Sequence, residues 1–235
     1  MSPLAAAIRR DLEQMGAAEL GLWLQRALRD RVPLPRATPD EMPAIAVQRV
    51  YASLSPAAQQ VVQEVTPALI RHLAQAESED PAYCRQLLLF CPVLGSPAVT
   101  AALAELVDGF STLPHITFDV QLSLLAALVE ASPRPPASLW MRLAQQKPSF
   151  ASLAFSGALR ADPVSAVQVL PLLPDDVTQG QATVMKLDIA YDILAAAGVW
   201  PPFETALIAV LPQCASSVAG PIRTWLQERP TSPPA

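Results

Sequence analysis

Few side chains in this sequence have the types and spacing that catalysis or metal binding requires. Its two histidines, His72 and His115, are far apart in the chain, and neither belongs to an HExxH or CxxC motif. Metal sites need clustered His, Cys and carboxylate ligands. The scattered glycines form no phosphate-binding loop, and the chain contains no GxSxG nucleophile motif. The sequence therefore predicts no metal, nucleotide or other cofactor and no catalytic residue.

The three cysteines, Cys84, Cys91 and Cys214, are an odd number without the spacing of a zinc site or a disulfide framework. Cys84 and Cys91 lie in one apolar segment, and we interpret them as buried small hydrophobic residues. A cysteine nucleophile needs a neighbouring base. Folding could bring His72 or His115 beside Cys84 or Cys214, although nothing in the sequence indicates such a contact.

Four carboxylates are the other candidates for chemistry. Asp188 and Asp192 are spaced to share one face of a predicted helix, and Asp175 and Asp176 precede that helix. Paired carboxylates can serve acid–base chemistry or bind a cation. The alternative is that all four are solvated, with Asp175 and Asp176 at a helix N-terminus, where negative charge is favourable. We favour this second interpretation.

Aromatic residues are the candidates for partner binding. Tryptophan removes a large area from water and carries one hydrogen-bond donor, so it often anchors interfaces. Trp140 begins a short helix after a Pro-rich stretch, and Trp200 precedes a Pro-Pro-Phe corner. Each is either a core residue or an exposed corner residue. In the second case the predicted partner-binding residues are Trp140, Trp200, Phe203 and His115. Trp225 lies within a helical apolar pattern and is interpreted as a packing residue.

Composition favours burial over charge. Hydrophobic residues make up 51% of the 235-residue chain and charged residues only 16%, against about 25% charged in typical domains. Too few charges remain to cover every outer helix face. The sequence therefore predicts apolar surface that meets a partner, unless surface alanines account for the excess. The net charge is −5, and acidic residues interleave with the arginines, so nucleic-acid binding is not predicted.

No targeting or membrane-spanning segment is predicted. The first residues carry charge too early for a signal peptide. The longest apolar run, 87–95, contains Pro92 and falls far short of the roughly 20 residues that a transmembrane helix needs. Together with the cysteine pattern, this predicts a cytoplasmic protein in a reducing compartment.

Prolines mark the predicted helix starts. A Ser, Thr or Asp side chain can accept a hydrogen bond from the first turn, and proline at the next position loses nothing because its missing N–H has no helical partner there. Between these marks the apolar residues recur with helical spacing, as at Ile189, Ile193 and Leu194, and no strand alternation is present. Gly95 and Gly198 are predicted left-handed caps. The predicted starts are Ser2-Pro3, Ser55-Pro56, Thr66-Pro67, Asp80-Pro81, Ser96-Pro97, Asp162-Pro163 and Trp200-Pro201.

Neighbouring predicted helices are expected to pair into hairpins at about 81–110, 118–147, 149–174 and 180–211. This gives a repeat of roughly 25 to 37 residues. In this respect residues 55–228 resemble the HEAT and armadillo class of helical repeats. The resemblance is one of architecture, because the hairpins share no consensus motif. It implies an all-α fold of stacked antiparallel helix hairpins forming a short HEAT-like solenoid. The alternative is an irregular helical bundle.

Proline also indicates the domain organisation. Residues 32–43 contain four prolines and no helical period, which predicts a linker. It separates an N-terminal helix pair at 1–31 from a helical-repeat domain at 44–228. The Pro-, Ser- and Thr-rich tail, 229–235, is predicted to be disordered.

These observations predict a non-catalytic scaffold, adaptor or structural subunit that binds another protein within a larger complex. The alternative is an enzyme or small-molecule-binding protein with a pocket between helices, using residues such as His115, Asp188 and Asp192. A third possibility is a membrane-surface protein. Its amphipathic segments lack the Lys/Arg-rich polar face that such helices use.

Overall fold

The computed structural model describes residues 51–52, 56–73, 91–110 and 116–229. Every regular element in these ranges is helical, so the all-α prediction is confirmed. The chain packs as two compact units, 1–135 and 136–235. The boundary between the units falls inside the predicted repeat domain, 44–228. The predicted helix pair at 1–31 and the linker at 32–43 lie outside the described residues.

In the first unit, α1 (Pro56–Leu73), α2 (Pro97–Asp108) and α3 (Phe118–Glu130) follow one another in the chain. Helix α2 packs against both α1 and α3. A short 3-10 turn, Cys91–Val93, precedes α2 and contacts α3. Arg71 on α1 and Glu105 on α2 form an ion pair of 2.9 Å at the surface. The buried apolar residues of this unit include Val62, Ile70, Leu103, Leu106, Leu124, Leu125 and Leu128.

The described part of the second unit continues with further helices and short 3-10 segments. The helices are α4 (Ala137–Gln146), α5 (Ala151–Ala161), α6 (Pro163–Ala166), α7 (Val177–Ala196), α8 (Trp200–Val210) and α9 (Ser216–Glu228). The 3-10 segments are Pro148–Phe150, Val167–Leu172 and Leu211–Gln213.

The first part of this unit is a tightly packed pair, α4 and α5, joined by the turn at Pro148–Phe150. Trp140, Phe150 and Phe155 are fully buried within it. The indole ring of Trp140 lies directly on Gly157 of α5, where a Cβ atom would overlap the ring at a separation under 3.0 Å. Only glycine leaves room for this tryptophan, so the pair closes around it.

A second close contact joins α7 to α9. A Cβ atom on Gly180 would overlap the backbone oxygen of Ser217, so the two helices approach each other as closely as glycine permits. The residues of α7 that face inward are Gly180, Thr183, Leu187 and Leu194. Helix α8 packs against the 3-10 segment Val167–Leu172.

Most of the predicted helix starts within the described residues are confirmed. Helices α1, α2 and α6 begin at Pro56, Pro97 and Pro163. At α6 the Asp162 side chain accepts a hydrogen bond from the Ser165 N–H, as an N-cap does. Helix α8 begins at Trp200. The starts predicted at Ser2-Pro3 and Asp80-Pro81 lie outside the described residues.

The start predicted at Thr66-Pro67 is wrong, because α1 continues through Pro67. The Thr66 hydroxyl donates a 2.6 Å hydrogen bond to the Val62 carbonyl one turn earlier instead of capping a new helix. Both threonine and proline are buried there. Tertiary burial has therefore outweighed the tendency of proline to end a helix.

Glycine caps are confirmed at two corners. Gly95 and Gly198 have positive φ angles of 56° and 68°, which side chains other than glycine rarely adopt. Gly198 follows the end of α7, and its N–H donates to the Ala195 carbonyl. The chain can therefore turn sharply from α7 into α8.

Candidate functional site

The outer face of α7 carries a row of exposed apolar side chains. Met185, Ile189 and Ile193 are 66%, 72% and 68% exposed and follow one another at intervals of one helical turn. Residues four apart on a helix are neighbours on its surface. These three residues, called the apolar row from here on, therefore form one continuous apolar strip.

Two carboxylates border the apolar row. Asp188 and Asp192 are exposed and lie one turn apart along one edge of the strip. They are the pair with shared-face spacing in the sequence, and the structure places them on the surface beside apolar side chains, in agreement with the solvated interpretation. Their neighbours at the start of the helix, Asp175 and Asp176, are exposed as well, and Asp176 caps α7 by accepting from the Thr178 N–H at 2.9 Å.

The sequence alone does not identify the apolar row as surface. Spacing groups Ile189 and Ile193 with Leu194 as one apolar pattern, yet only Leu194 is buried. Helix α7 has apolar residues on nearly every side, so spacing predicts the helix without predicting which side faces inward. The close contact at Gly180 decides this, because it turns the opposite side of α7 towards α9.

An aromatic box lies near one end of α7. Its walls are Tyr191 of α7, Trp200 of α8 and Trp225 of α9. The ring centroids of Tyr191 and Trp225 are 4.9 and 5.9 Å from that of Trp200, and both rings stand nearly perpendicular to it. Phe203 packs behind Trp200. Three helices thus bring three ring faces around one small space.

The side chain of Arg229 fills this aromatic box. Its guanidinium carbon lies 3.5 Å from the ring centroid of Tyr191, 3.9 Å from that of Trp200 and 5.0 Å from that of Trp225. These distances are typical of cation–π contacts. The Nε and Nη1 atoms of Arg229 are buried and have no hydrogen-bond partner among the described residues.

The two indole N–H groups of the box point to carboxylates. Trp200 donates to Glu204 at 3.0 Å, and Trp225 donates to Asp188 at 3.2 Å. Asp188 thus contacts the aromatic box and also borders the apolar row. These bonds fix the orientation of both indole rings and place two negative charges at the edge of the box.

A lysine and a serine form a third polar contact in this unit. Lys186 of α7 donates to the carbonyl and to the hydroxyl of Ser152 on α5, at 2.5 and 2.7 Å. Burial lowers the pKa of the Lys186 ammonium to about 8. A lysine with a lowered pKa beside a hydroxyl can accept a proton in nucleophilic chemistry. In this structure Lys186 also links two helices.

The predicted partner-binding residues lie largely in the interior. Trp140 and Phe203 are fully buried, and Trp200 is 6% exposed. The sequence left open whether Trp140 and Trp200 are exposed at helix corners. In the structure, helix α5 packs over Trp140 at Gly157. Trp200 packs against Tyr191, Phe203 and Trp225. His115 lies outside the described residues. A role of these four residues in partner binding stays a prediction, and the surface described above consists of other residues.

Three residues of the aromatic box, Tyr191, Trp225 and Arg229, could not be identified as a site from the sequence. The apolar pattern around Trp225 indicates packing, and no motif includes Tyr191. Arg229 belongs to the predicted tail, 229–235, whose other residues lie outside the described ranges. Only contacts between distant parts of the chain bring the three together, so neither periodicity nor a local motif could have found them.

The cysteines show no sign of reactivity in the described ranges. Cys91 is buried, as predicted, and desolvation raises the pKa of its thiol to about 12. Desolvation also raises the pKa of the half-buried Cys214. Thiolate formation is unfavourable at both positions. Cys84 lies outside the described residues.

Elsewhere on the described surface, a polar groove of about 540 Å³ lies in the first unit, lined mainly by Gln59, Gln60, Gln63, Glu64 and prolines. Across the described ranges, no group of three or more His, Cys, Asp or Glu side chains is placed to hold a metal ion. No described helix combines the length and the apolar character needed to cross a membrane.

Comparisons with known proteins identify no relative of this chain. No family model matches it, and neither a curated protein nor a solved structure shows significant similarity to it. Its function must therefore be inferred from the geometry of the apolar row and of the aromatic box.

Proposed function

We propose that this chain is a non-catalytic protein-binding module and that the apolar row on α7 docks a helix of a partner protein. The observation that carries the proposal is the continuous exposure of Met185, Ile189 and Ile193. Single exposed apolar residues are common on protein surfaces. Contiguous apolar patches with polar borders instead favour interaction sites.

The shape and charge of this surface favour one kind of partner. A straight row of side chains one turn apart matches the apolar face of an amphipathic helix, which presents residues at the same spacing. The acidic border, Asp188 and Asp192, favours a partner helix with lysine or arginine beside its apolar face. A second copy of this chain carries the same acidic border and the same net charge of −5, which disfavours pairing of two copies.

The proposal includes a HEAT- or armadillo-like order of helix hairpins as the scaffold. In such repeats each helix pair contacts its neighbours and leaves one helix row for partners. The packing of α5 against α6 and against the 3-10 segment Val167–Leu172 supports the predicted hairpin at 149–174. The proposed role is that of an adaptor or a complex subunit in the cytoplasm.

The test compares exposed isoleucines inside and outside the apolar row. The double variant Ile189→Asp, Ile193→Asp should weaken binding of the partner at least about a hundredfold, because two isoleucine contacts contribute about 3 kcal/mol. The matched control is Ile208→Asp on α8, which is 55% exposed and lies outside the apolar row. Binding should be measured with the partner recovered by cross-linking from a photoreactive residue placed at position 185.

Charge reversal tests the partner chemistry. Replacing Asp188 and Asp192 with lysine should weaken the complex and reverse its dependence on salt, since exposed charges act mainly on association.

Equal loss of binding in the control Ile208→Asp would contradict the proposed site. A cross-link that joins two copies of this chain would contradict the proposed partner, and a chain that captures no protein at stoichiometric amounts would overturn the proposal.

A further inference from the structure

The aromatic box has features that packing alone does not explain. Three rings from three helices surround a single cation, Arg229, and the two tryptophans are each held by a carboxylate. A ring face attracts positive charge through its quadrupole, most strongly for tryptophan. The donation from each indole N–H to a carboxylate polarises the ring and increases that attraction.

Arg229 is a poor match for the chemistry of this box. Ring faces attract positive charge but accept hydrogen bonds only weakly. Two of the guanidinium nitrogens are therefore buried with no acceptor among the described residues. Burying a donor without an acceptor is unfavourable. In water the same N–H groups would be satisfied, so release of Arg229 recovers hydrogen bonds that the box cannot supply.

A quaternary ammonium group avoids the unsatisfied donors that a guanidinium buries in this box. Its positive charge is spread over methyl groups, and it has no N–H donor that could remain unsatisfied. Three ring faces supply both the apolar contact and the negative potential that such a group requires. The carboxylates of Glu204 and Asp188 at the edge add long-range attraction without competing for a hydrogen bond.

We propose that Tyr191, Trp200 and Trp225 form a binding site for a quaternary ammonium group and that Arg229 occupies this site until the ligand displaces it. Arg229 is then a competitor held on the same chain. The apparent affinity for an external cation equals the intrinsic affinity multiplied by the fraction of molecules in which Arg229 has left the box. The chemistry is shared by trimethyl-lysine side chains and choline headgroups.

The first experiment measures choline binding to the full chain by isothermal titration calorimetry. Arg229→Ala should bind choline at least about tenfold more tightly than the unmodified chain, because the competitor is removed. The matched control is Arg223→Ala, an exposed arginine of α9 outside the box. It should leave the affinity unchanged. Adding Tyr191→Leu to Arg229→Ala should remove choline binding while keeping an apolar side chain at that position.

The second experiment separates charge from shape. The neutral isostere 3,3-dimethylbutanol should bind Arg229→Ala at least about tenfold more weakly than choline, since it lacks the charge that the rings attract. Equal binding of the two compounds would overturn the proposal and leave only an apolar pocket. Absence of saturable choline binding by a folded Arg229→Ala chain, checked by circular dichroism, would overturn it as well.

Two further probes applied to Arg229→Ala identify which kind of molecule carries the quaternary ammonium group. A peptide with trimethyl-lysine and the same peptide with unmodified lysine should differ at least about tenfold in affinity if the site serves a protein ligand. Co-sedimentation with phosphatidylcholine vesicles should be lost in Trp225→Ala if the site serves a lipid headgroup. Choline binding without binding of either probe would assign the site to free choline-like compounds.

Discussion

The α4–α5 pair and helix α7 use their apolar residues in opposite ways. In the pair, Trp140, Phe150 and Phe155 are completely enclosed, and Gly157 provides the space for the largest of them. On α7 the inner side is packed just as closely, at Gly180, whereas the outer side leaves the apolar row in water.

The comparison separates two uses of hydrophobic surface. Enclosed side chains stabilise the fold, since their burial removes apolar area from water and fills space at the density of a crystal. Exposed apolar side chains on a packed helix contribute little to the fold and are available for association. Substitutions in the α4–α5 pair should therefore affect stability, and substitutions on the outer side of α7 should affect binding.

The largest effect is expected at Gly157. Gly157→Ala places a Cβ atom in overlap with the Trp140 ring, and neither the ring nor the helix has free space to move into. We expect the free energy of unfolding to fall by about 3 kcal/mol, as in other overpacked cores. Urea unfolding followed by circular dichroism measures this change.

Gly220→Ala is the matched control for Gly157→Ala. Apart from its neighbours in the chain and the backbone of its own helix, a Cβ atom at Gly220, within α9, would meet nothing within 4 Å. Alanine gains helix propensity there, but its Cβ also lies against the ring of Pro221, the next residue in the helix, so the free energy of unfolding should change by less than about 1 kcal/mol. If both substitutions changed stability by the same amount, the tight packing of Trp140 would be contradicted.

A smaller effect is expected at Lys186, which joins the two regions through its bonds to Ser152. Its pKa is about 8 in the folded chain, below its ordinary value of 10.5, because burial disfavours the ammonium. Between these two pH values the unfolded chain holds the proton and the folded chain has lost it. Stability therefore rises as pH increases from about 8 to about 10.5, and the destabilisation from burying the charge is complete below pH 8.

Lys186→Met isolates this contribution. The difference in unfolding free energy between the two chains should change by about 1 kcal/mol across that pH window, a value reduced from the full shift because the ammonium is only half-buried. Thermal unfolding at several pH values measures the difference. A constant difference across the whole window would show that Lys186 keeps an ordinary pKa.

The smallest effect on stability is expected on the apolar row. Ile189→Gln removes an apolar side chain that is 72% exposed, so the free energy of unfolding should change by less than about 0.5 kcal/mol. The same substitution should weaken partner binding. A loss of stability comparable to that of Gly157→Ala would mean that the outer side of α7 is packed, and the contrast between the two regions would not hold.

The sequence predicted the local features of the fold better than the site. Proline after Ser or Asp identified the starts of α1, α2 and α6, because proline suits the first helical turn. Asp162 also caps α6 through its side chain, whereas Ser96 makes no side-chain cap hydrogen bond at α2. The proline pattern failed at Pro67, where burial decided the outcome. Spacing predicted that Asp188 and Asp192 share one side of a helix. Whether that side is exposed depends on where α9 packs, and α9 packs against α7 at Gly180.

By itself, the sequence determined that the described chain is helical and where α1, α2, α6 and α8 start. It also determined the positive φ angles at Gly95 and Gly198, since these features arise within a few residues of chain. Tertiary structure alone decided that Trp140 rests on Gly157 and that Ile189 faces water. It also decided that Tyr191, Trp200, Trp225 and Arg229 meet. The physical reason is that burial and cation–π contact depend on residues far apart in the chain, for which a single sequence gives no local signal.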